Sequence, residues 1–365
     1  MHKQTFGVGL IGFGIAGRVF HAPLIQATPG LELLAVVSGS ADKVREALPD
    51  VEVLPKAAAL LSRPDIDLVV IASPNETHFP LGKAALVAGK HVVIDKPFTV
   101  TLSEAKLLKT EADKAERMLS VFHNRRWDSD FRTLQALIKA GTVGRPVALE
   151  LRFDRFRPKV ADRWREQQKP GSGIWYDLGA HLLDQARELF GMPRAILLDL
   201  MAARDDAQVD DDFHALLDYE DIRVTLRASS LVAEPTPQLA LHGTRGSFVK
   251  YGRDPQENWL REGRTPTRDW GIDPRPGKLS IDEGDDDAIS LTSREHPGLP
   301  GDYLAYYAGL VETLTKGSPP PVTVEEATEV MVLLEAGLDS YRQDRWIRLK
   351  EGNGSMRKLL HRRGA

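Results

Sequence analysis

The stretch Gly7-Val8-Gly9-Leu10-Ile11-Gly12-Phe13-Gly14-Ile15-Ala16-Gly17 lies near the start of the chain. Its apolar residues predict a short buried strand, and three glycines follow at the spacing Gly12-x-Gly14-x-x-Gly17. At such a turn into a helix, the first glycine permits the tight turn, the second admits phosphates, and the third allows close helix–strand packing. The helix start also offers free N–H groups to an anion. An ordinary strand–turn–helix can carry the same glycines. The pattern of the surrounding sequence is therefore needed to decide whether this turn binds a phosphate group.

That pattern alternates over the first third of the chain. We expect strands at residues 6–11, 31–37, 66–72, 91–94 and 118–122, with helices between them. The helix after the glycines is expected to be kinked or interrupted by Pro23. The segment 66–72 is apolar almost throughout, which is typical of a strand buried on both faces of a parallel sheet. Alternation with short loops predicts an α/β fold with a doubly wound parallel sheet, and hence a dinucleotide at the glycine turn.

The alternation ends beyond residue 122. Asp128 is expected to cap a helix that Gly141 ends, and a second helix is expected over about 176–190. Strands then follow one another at 195–202, 211–219, 222–231, 238–242 and 247–251, which predicts a mostly antiparallel sheet. Residues 252–298 are predicted to be a long excursion with one short strand, followed by two closing helices. The expected parts are a dinucleotide domain over 1–122, an α+β domain over 123–350, and a flexible basic tail over 351–365.

Composition limits the function. The 365 residues are 42% hydrophobic and 27% charged with a net charge of −4, so neither a membrane nor a nucleic acid is expected as a partner. With no cysteine, a disulfide scaffold, a thiolate zinc site and a cysteine nucleophile are excluded. No run of about 18 apolar residues occurs, and the first residues lack a signal-peptide pattern. A cytoplasmic protein is expected.

Two further motifs follow predicted parallel strands. Ser73-Pro74-Asn75 and Asp95-Lys96-Pro97 come at the carboxyl ends of their strands, where doubly wound sheets bind ligands. A lysine is usually a solvated surface residue. The position of Lys96 between a buried strand and a proline favours a functional role in the crevice.

A carboxylate and an imidazole lie four residues apart in the second half. On a helix, Asp177 and His181 would share a face, and the carboxylate would orient the ring and raise its basicity. Taken alone, such a pair is more often structural. Gly171, Gly173 and Gly179 favour the functional reading because they suggest a close approach to the backbone.

Other polar groups leave alternatives open. Arg125 and Arg126, in the segment His123-Asn124-Arg125-Arg126-Trp127, either face a cleft or pair with carboxylates across the domain junction, and the two readings weigh equally. The runs Asp210-Asp211-Asp212 and Asp285-Asp286-Asp287 are interpreted as solvated loop carboxylates, since no histidine stands at metal-ligand spacing beside them.

The end of the second strand bears on the choice of cofactor. NAD-preferring domains place Asp or Glu there, about 20 residues past the glycines, to bind the ribose 2′-hydroxyl. Here the strand ends in Ser38-Gly39-Ser40, and Glu32 lies at its other end. Ser38 and Ser40 can donate to a phosphate, and Lys43 or Arg45 could add charge. The serines could also be ordinary turn residues. We expect NADP in preference to NAD.

With these motifs in order, the sequence resembles the glucose-fructose oxidoreductase/inositol dehydrogenase (Gfo/Idh/MocA) family. The resemblance spans about residues 5 to 345. It lies in the motifs Gly12–Gly17, Ser73-Pro74-Asn75, Asp95-Lys96-Pro97 and Gly173-Ile174-Trp175-Tyr176-Asp177-Leu178-Gly179-Ala180-His181. Residues 122–128 and 162–166 are similar to the subgroup with NADP-dependent scyllo-inositol dehydrogenases and uncharacterised bacterial oxidoreductases. Asp95 departs from the family's usual Glu-Lys-Pro but leaves Lys96 in place.

The resemblance implies an N-terminal Rossmann domain over 1–122, a C-terminal substrate-binding and oligomerisation domain with an open-faced sheet over 123–350, and roles for individual residues. His181 would take the proton of the substrate hydroxyl, Asp177 would hold His181, and Lys96 would steady the oxygen. Asn75 would contact the nicotinamide ribose, and Trp164 and Arg165 would reach toward the cofactor. No metal is expected. The full set of cofactor-binding residues expected is Gly12, Phe13, Gly14, Ile15, Ala16, Gly17, Ser38, Ser40, Lys43, Ser73, Pro74, Asn75, His78, Asp95, Lys96, Asn124, Trp164 and Arg165.

The function expected from this resemblance is NADP-dependent hydride transfer at a secondary alcohol or ketone of a cyclic polyol or sugar, by a homodimer or homotetramer. Two alternatives remain. One is a dinucleotide sensor without catalysis, and the other is a relative that uses tightly bound NAD to cleave glycosidic bonds.

Overall fold

The computed structural model describes residues 5–267, 270–284 and 288–349, so the predicted tail at 351–365 and Asp285–Asp287 lie outside it. The chain forms two compact units. The first consists of the described residues of Met1–Trp127, Pro255–Trp270 and Asp302–Met331, and the second of those of Asp128–Asp254, Gly271–Gly301 and Val332–Ala365. The sequence predicts that the chain passes from the first domain to the second once, after residue 122. In the structure the chain passes between the two units several times. The domain boundaries themselves stay predictions.

The first unit contains the parallel sheet. Its strands are β1 (Phe6–Ile11), β2 (Leu31–Val37), β3 (Glu52–Leu54), β4 (Leu68–Ile71), β5 (His91–Asp95) and β6 (Leu119–Phe122). They pair in the order β3-β2-β1-β4-β5-β6, and every pairing is parallel. This order reverses direction beside β1, so the doubly wound α/β fold is confirmed. The sequence does not predict β3, because three residues are too few for a hydrophobic pattern.

Ten α-helices occur in the described part of the chain. They are α1 (Ala22–Ala27), α2 (Ala41–Ala47), α3 (Ala57–Leu61), α4 (His78–Val87), α5 (Leu102–Ala115), α6 (Ser129–Ala140), α7 (Ala180–Phe190), α8 (Gln256–Arg261), α9 (Leu304–Lys316) and α10 (Val324–Gln343). None of the helices described is both long and apolar enough to cross a membrane.

Two helix starts have a Thr-x-x-Glu pattern in the sequence, which predicts a capping box, and both form the box in the structure. Thr101 accepts from the Glu104 N–H at 3.2 Å, and the Glu104 carboxylate accepts from the Thr101 N–H at 3.1 Å. Thr323 and Glu326 exchange the same two bonds before α10. Each box satisfies two N–H groups that a helix start leaves open.

The predicted cap of α6 is different in the structure. Asp128 holds the N-cap position, but its side chain makes no capping bond, and the Ser129 N–H donates instead to Asp254 at 2.6 Å. Because Asp254 is distant in sequence, local pattern could not identify it. Gly141 ends the helix in a left-handed conformation, as expected.

The second unit contains a nine-stranded sheet. Its strands are β7 (Pro146–Arg152), β8 (Ala195–Met201), β9 (Asp212–Asp218), β10 (Arg223–Ser229), β11 (Pro237–Gly243), β12 (Gly246–Tyr251), β13 (Gly277–Asp282), β14 (Leu291–His296) and β15 (Ile347–Arg348). Their order is β14-β13-β12-β11-β7-β10-β9-β8-β15. Only β7 and β10 pair in parallel among the strands described, so the predicted mostly antiparallel sheet is confirmed.

The segment 252–298 contains more structure than predicted. Instead of one short strand it provides α8, β13 and β14. Most of β14 is exposed, and its sequence, LTSREH, has no apolar alternation. It is a strand because β13 pairs with it along its whole length, which is a tertiary effect.

The two faces of this sheet differ. On β9, Phe213, Ala215 and Leu217 are buried, while His214 and Leu216 between them are exposed. Phe213 packs edge-on against the Trp175 indole, with ring centroids 5.1 Å apart. One face therefore forms the core of the unit, and the other is open in the single chain.

Candidate active site

The glycine turn after β1 is shaped by two glycines that no other residue could replace. Gly12 has φ +100°, and a Cβ there would lie 2.6 Å from the Ala72 carbonyl oxygen. A Cβ at Gly17 would lie 2.1 Å from the Gly12 carbonyl oxygen. Side chains at either position would collide with backbone, so these glycines form the tight turn and the close helix packing.

Gly14 differs from both. Nothing lies within 4 Å of the Cβ that a side chain would add, so the protein's own packing does not require glycine there. The next side chain, Ile15, is 48% exposed although it is apolar. Bare backbone beside an uncovered apolar side chain fits a bound diphosphate and its attached groups. The residues present therefore suit a dinucleotide, with Phe13 and Ala16 half-buried at the same turn.

The chain after the turn forms a wide π-helical segment, Ala16–His21, before α1 begins. Pro23 lies just inside α1, and the π-helical segment passes into α1 without a break. The structure therefore shows a change of helix type beside Pro23 and no interruption there. The segment ends at His21, whose side chain is fully buried. Sequence reasoning gave His21 no role.

The end of β2 contains serines and no carboxylate. Ser38 is half-buried, and its hydroxyl accepts from the Ser40 N–H at 3.1 Å. Ser40 holds the N-cap position of α2 without a side-chain capping bond. Lys43 is exposed, and Asp42 pairs with Arg45 at 3.3 Å. Glu32 lies at the opposite end of β2, as expected.

The loop after β4 is built around His78. Ser73 and Thr77 share a hydroxyl contact of 2.5 Å, Pro74 is exposed, and Asn75 is buried at the start of a short 3₁₀ turn. The His78 ring is buried, with Nδ1 2.9 Å from the Pro97 carbonyl oxygen and Nε2 3.0 Å from that of Ser73. Both ring nitrogens thus face carbonyls of the protein. His78 can act on a cofactor only through the two loops that it joins.

Asp95 and Lys96 end β5, and both are buried. The Asp95 carboxylate lies 3.5 Å from Nε2 of His21, whose Nδ1 is 2.6 Å from the Tyr307 hydroxyl. Burial acts to raise the pKa of Asp95, but His21, Lys96 and His78 outweigh it and hold the pKa below its usual value. An ionised carboxylate therefore lies beside Lys96, supported by two side chains that the sequence analysis missed.

The arginines near residue 125 are in ion pairs. Arg125 donates to Glu257 at 2.6 Å, and Arg126 donates to Glu326 at 3.0 Å. Burial acts to raise the pKa of Glu257, but Arg125 and Arg261 outweigh it and lower the pKa to about 2. Of the two readings, pairing with carboxylates is the observed one, and all four groups belong to the first unit. Asn124 is buried beside them.

In the second unit, Asp177 and His181 lie on successive turns. Trp175–Gly179 forms a π-helical turn that runs directly into α7, where His181 is buried. Asp177 lies 3.4 Å from Nε of Arg165. The Arg165 guanidinium stacks on the Trp164 ring at 4.7 Å, and its backbone carbonyl accepts from the Gly173 N–H at 3.0 Å. Arg165 thus connects the segment 164–166 to the start of the helical segment that carries Asp177.

Asp210 holds that helix start. Its carboxylate accepts from the Trp175 N–H at 2.7 Å, and its carbonyl accepts from the Ile174 N–H at 3.0 Å. Gly173 has φ +86°, and a Cβ there would lie 2.0 Å from the Asp210 carboxylate. A Cβ at Gly179 would lie 2.6 Å from the Trp175 ring. These glycines are explained by packing within the protein, and not by the ligand approach that the sequence suggested.

The interpretation of Asp210, Asp211 and Asp212 as solvated carboxylates is wrong for the first two. Asp211 is 1% exposed and accepts from Nε of Arg204 at 2.6 Å. Burial raises the pKa of Asp210 to about 6, and the neighbouring Asp211 adds to the rise. Nearby basic and N–H groups bind both carboxylates within the protein. The spacing of residues in the sequence does not reveal these partners. In the described part of the chain, no group of His, Asp and Glu could hold a metal.

The predicted residues thus fall into two groups. The glycine turn, Ser38, Asn75 and Lys96 lie at the carboxyl ends of adjacent strands in the first unit, while Trp164, Arg165, Asp177 and His181 cluster in the second. Each group has the chemistry expected of it: phosphate-admitting backbone with a buried lysine in one, and an acid with an imidazole in the other.

Known proteins are similar to this one over nearly the whole chain. The uncharacterized oxidoreductase YdgJ of Escherichia coli is 52% identical over 93% of this chain and 97% of its own. The scyllo-inositol 2-dehydrogenase (NADP(+)) IolW of Bacillus subtilis is 38% identical over 95% and 97%. The solved structure of YPO2259 from Yersinia pestis is 48% identical, has a TM-score of 0.91, and is matched over 96% of this chain and 99% of that one.

Family descriptions match both halves. Residues 6–123 match "Oxidoreductase family, NAD-binding Rossmann fold", and residues 135–349 match "Oxidoreductase family, C-terminal alpha/beta domain". The glycine turn at the carboxyl edge of a doubly wound sheet and the mostly antiparallel second sheet agree with these matches. The chain belongs to the Gfo/Idh/MocA oxidoreductase family.

Proposed function

We propose that this oxidoreductase is an NADP-dependent dehydrogenase that acts on a secondary alcohol or ketone of a cyclic polyol or sugar. The observation that carries the choice of cofactor is the end of β2, where Ser38 and Ser40 stand and no carboxylate does. A carboxylate there would repel a 2′-phosphate, whereas hydroxyls donate to it. The relative IolW, which is named for NADP and scyllo-inositol, supports the same choice.

The cofactor would be held along the carboxyl edge of the parallel sheet. Gly12, Phe13, Gly14, Ile15, Ala16 and Gly17 would surround the diphosphate, with Gly14 allowing the closest approach. Ser38, Ser40 and Lys43 would bind the 2′-phosphate. The nicotinamide end would be bound by the remaining predicted residues: Ser73, Pro74, Asn75, Asp95, Lys96, Asn124, Trp164 and Arg165, with His78 fixing the loops behind them.

Three side chains would take part in removing the proton of the substrate hydroxyl. The bound nicotinamide supplies the hydride chemistry. His181 would take the hydroxyl proton during oxidation, and Asp177 would orient its ring. The Lys96 ammonium would donate a hydrogen bond to the substrate oxygen, with the ionised Asp95 beside it in the sequence.

Two alternative functions make different predictions. A dinucleotide sensor would bind NADPH but would not oxidise it with any substrate. A glycosidase-like relative would retain NAD through purification. The presence of Lys96, Asp177 and His181 together supports the dehydrogenase over the sensor.

We also propose that the open face of the second sheet pairs with another copy of the chain. On neighbouring strands of this face, Leu216 is 37% exposed and Met201 is 53% exposed. Exposed apolar side chains on an open sheet face support pairing with another copy of the chain. Sedimentation of the purified protein should show a dimer or tetramer, and a monomer at micromolar concentration would contradict the pairing.

The experiment that tests the function is a substrate screen with the coenzyme signal as readout. Binding of NADPH and of NADH is first followed by nicotinamide fluorescence. Inositols, aldoses and keto-sugars are then added with the matching coenzyme. We expect NADPH to bind more tightly and at least one cyclic polyol or its ketone to be turned over. Tight NADPH binding without turnover of any compound would favour the sensor.

A further inference from the structure

The second unit contains a partly open cleft that is rich in arginine. Five arginines line it: Arg155, Arg157, Arg163, Arg165 and Arg204. Three carboxylates line it as well: Glu166, Asp177 and Asp210. Sites for neutral sugars are usually lined by few charges, so this composition requires an explanation.

Backbone pairing brings two of the arginines to the same side. The N–H groups of Phe153, Arg155 and Arg157 donate in turn to the carbonyls of Arg227, Ser229 and Ser230, at 2.9, 2.9 and 2.7 Å. The segment is therefore extended. In an extended chain, residues two apart point to one face, so Arg155 and Arg157 both line the cleft.

The other charges are largely matched. Arg204 is buried between Asp211 at 2.6 Å and Glu166 at 3.2 Å, and Glu166 also pairs with Arg163. The positive charges of Arg163 and Arg204 are therefore balanced by the negative charges of Glu166 and Asp211. Arg165 is balanced by Asp177.

Positive charge is left over at the front of the cleft. Burial raises the pKa of Asp210, the last carboxylate of the cleft, to about 6, so this group is only partly ionised when the pH is near 6. Arg157 is exposed, and within the described residues its guanidinium has no ion pair. An acidic group entering the cleft would meet this unmatched charge.

The nearby helix start does not compete for such a group. The N–H groups of Gly173, Ile174 and Trp175 are already bound by Arg165 and Asp210. Binding would therefore fall to the guanidinium groups, which suit the planar, paired oxygens of carboxylates and phosphates.

We propose that this cleft binds a phosphate or carboxylate group of a ligand, with Arg157 as the principal contact. The source we infer is a substrate that carries an acidic group, such as a sugar acid, because the phosphates of the dinucleotide are already assigned to the glycine turn and to Ser38, Ser40 and Lys43. This inference rests on the proposed function and narrows it from polyols in general to acidic ones, because Asp177 lines the same cleft.

The primary test measures binding and not catalysis. Inorganic phosphate is titrated into the full-length protein in a calorimeter at constant ionic strength. The Arg157→Gln variant should bind phosphate roughly tenfold more weakly than wild type, as expected for loss of one charge-assisted contact. Arg342→Gln is the matched control, since Arg342 is 67% exposed on α10 and pairs only with Asp339 among the charged groups described. It should bind as wild type does.

The outcomes separate the proposal from the proposed function. Equal phosphate affinity in wild type and Arg157→Gln, or no binding to either, overturns the cleft as an anion site even if the protein is a dehydrogenase. Loss of affinity in Arg157→Gln alone supports it even if no substrate is ever turned over.

Competition then identifies the source. Phosphate that is displaced by NADP, but not by glucuronate, would overturn the assignment to an acidic substrate and would contradict the placement of the cofactor phosphates at the glycine turn and Ser38. Displacement by glucuronate, together with a kcat/KM for the acid that falls in Arg157→Gln while that for a neutral polyol does not, assigns the cleft to the substrate.

Discussion

The hydroxyl of Tyr307 on α9 lies 2.6 Å from Nδ1 of His21, and both side chains are fully buried. Burial raises the pKa of Tyr307 well above its usual value, so the hydroxyl keeps its proton. The hydroxyl can therefore donate a hydrogen bond to Nδ1 of His21. The remaining ring N–H then points toward Asp95, 3.5 Å away. Groups 286 residues apart thus determine the surroundings of the carboxylate that precedes Lys96.

This relationship predicts a stability effect. Tyr307→Phe removes the hydroxyl and leaves a buried ring nitrogen without its bond, which should cost about 1 to 3 kcal/mol in the free energy of unfolding. Urea denaturation measures it. Tyr341→Phe is the control, because Tyr341 is 48% exposed, and it should change stability by less than about 0.5 kcal/mol. Equal stability of Tyr307→Phe and wild type would show that the contact contributes nothing.

The account predicts that Lys96→Ala loses turnover without losing the fold. A group that acts only in the transition state lowers kcat and kcat/KM together. Steady-state kinetics and circular dichroism measure the two properties. Lys114→Ala, which removes an exposed lysine paired with Glu111, should behave as wild type. A Lys96→Ala enzyme that keeps its kcat would remove Lys96 from the catalytic set.

Asp177 and His181 are predicted to act as one unit. Asp177→Asn and His181→Ala should each slow oxidation severely, and the double variant should be little worse than either, because effects within a unit are not additive. Oxidation by wild type should also slow toward acidic pH as the imidazole becomes protonated. Losses of kcat/KM that multiply in the double variant would show that the two side chains work separately.

The sequence predicts the glycine turn, the strand edges and both capping boxes because these depend on neighbours within a few residues. It does not predict His21 with Tyr307, Arg125 with Glu257, or Asp254 at the start of α6, since each partner is brought in by tertiary packing. The sequence also predicts a surface position for Asp211, because it does not show that Arg204 binds this carboxylate in the interior. At the site, the spacing of residues in the sequence predicts a residue's role only where the backbone itself forms the site, as it does at the glycine turn.

The ion pair of Arg125 with Glu257 predicts a pH dependence of stability. The pKa of Glu257 falls from 4.5 in the unfolded chain to about 2 in the fold, so its contribution is present above pH 4.5 and is lost as the pH falls toward 2. Glu257→Gln should lower the unfolding free energy by about 3 kcal/mol at pH 7. The deficit should vanish near pH 2. Glu312→Gln, in an exposed pair with Lys316, is the control and should have little effect. A deficit in Glu257→Gln that is the same at every pH would contradict the linkage.

The most direct test of the central claim is the ratio of kcat/KM with NADP to kcat/KM with NAD, for wild type and for Ser38→Asp, on whichever polyol or sugar the screen identifies. The account predicts that wild type prefers NADP by at least about tenfold, which corresponds to roughly 1.4 kcal/mol. It also predicts that Ser38→Asp moves the preference toward NAD by weakening NADP binding, because a carboxylate there repels the 2′-phosphate. A wild-type enzyme with a higher kcat/KM for NAD, unchanged by Ser38→Asp, would contradict the account.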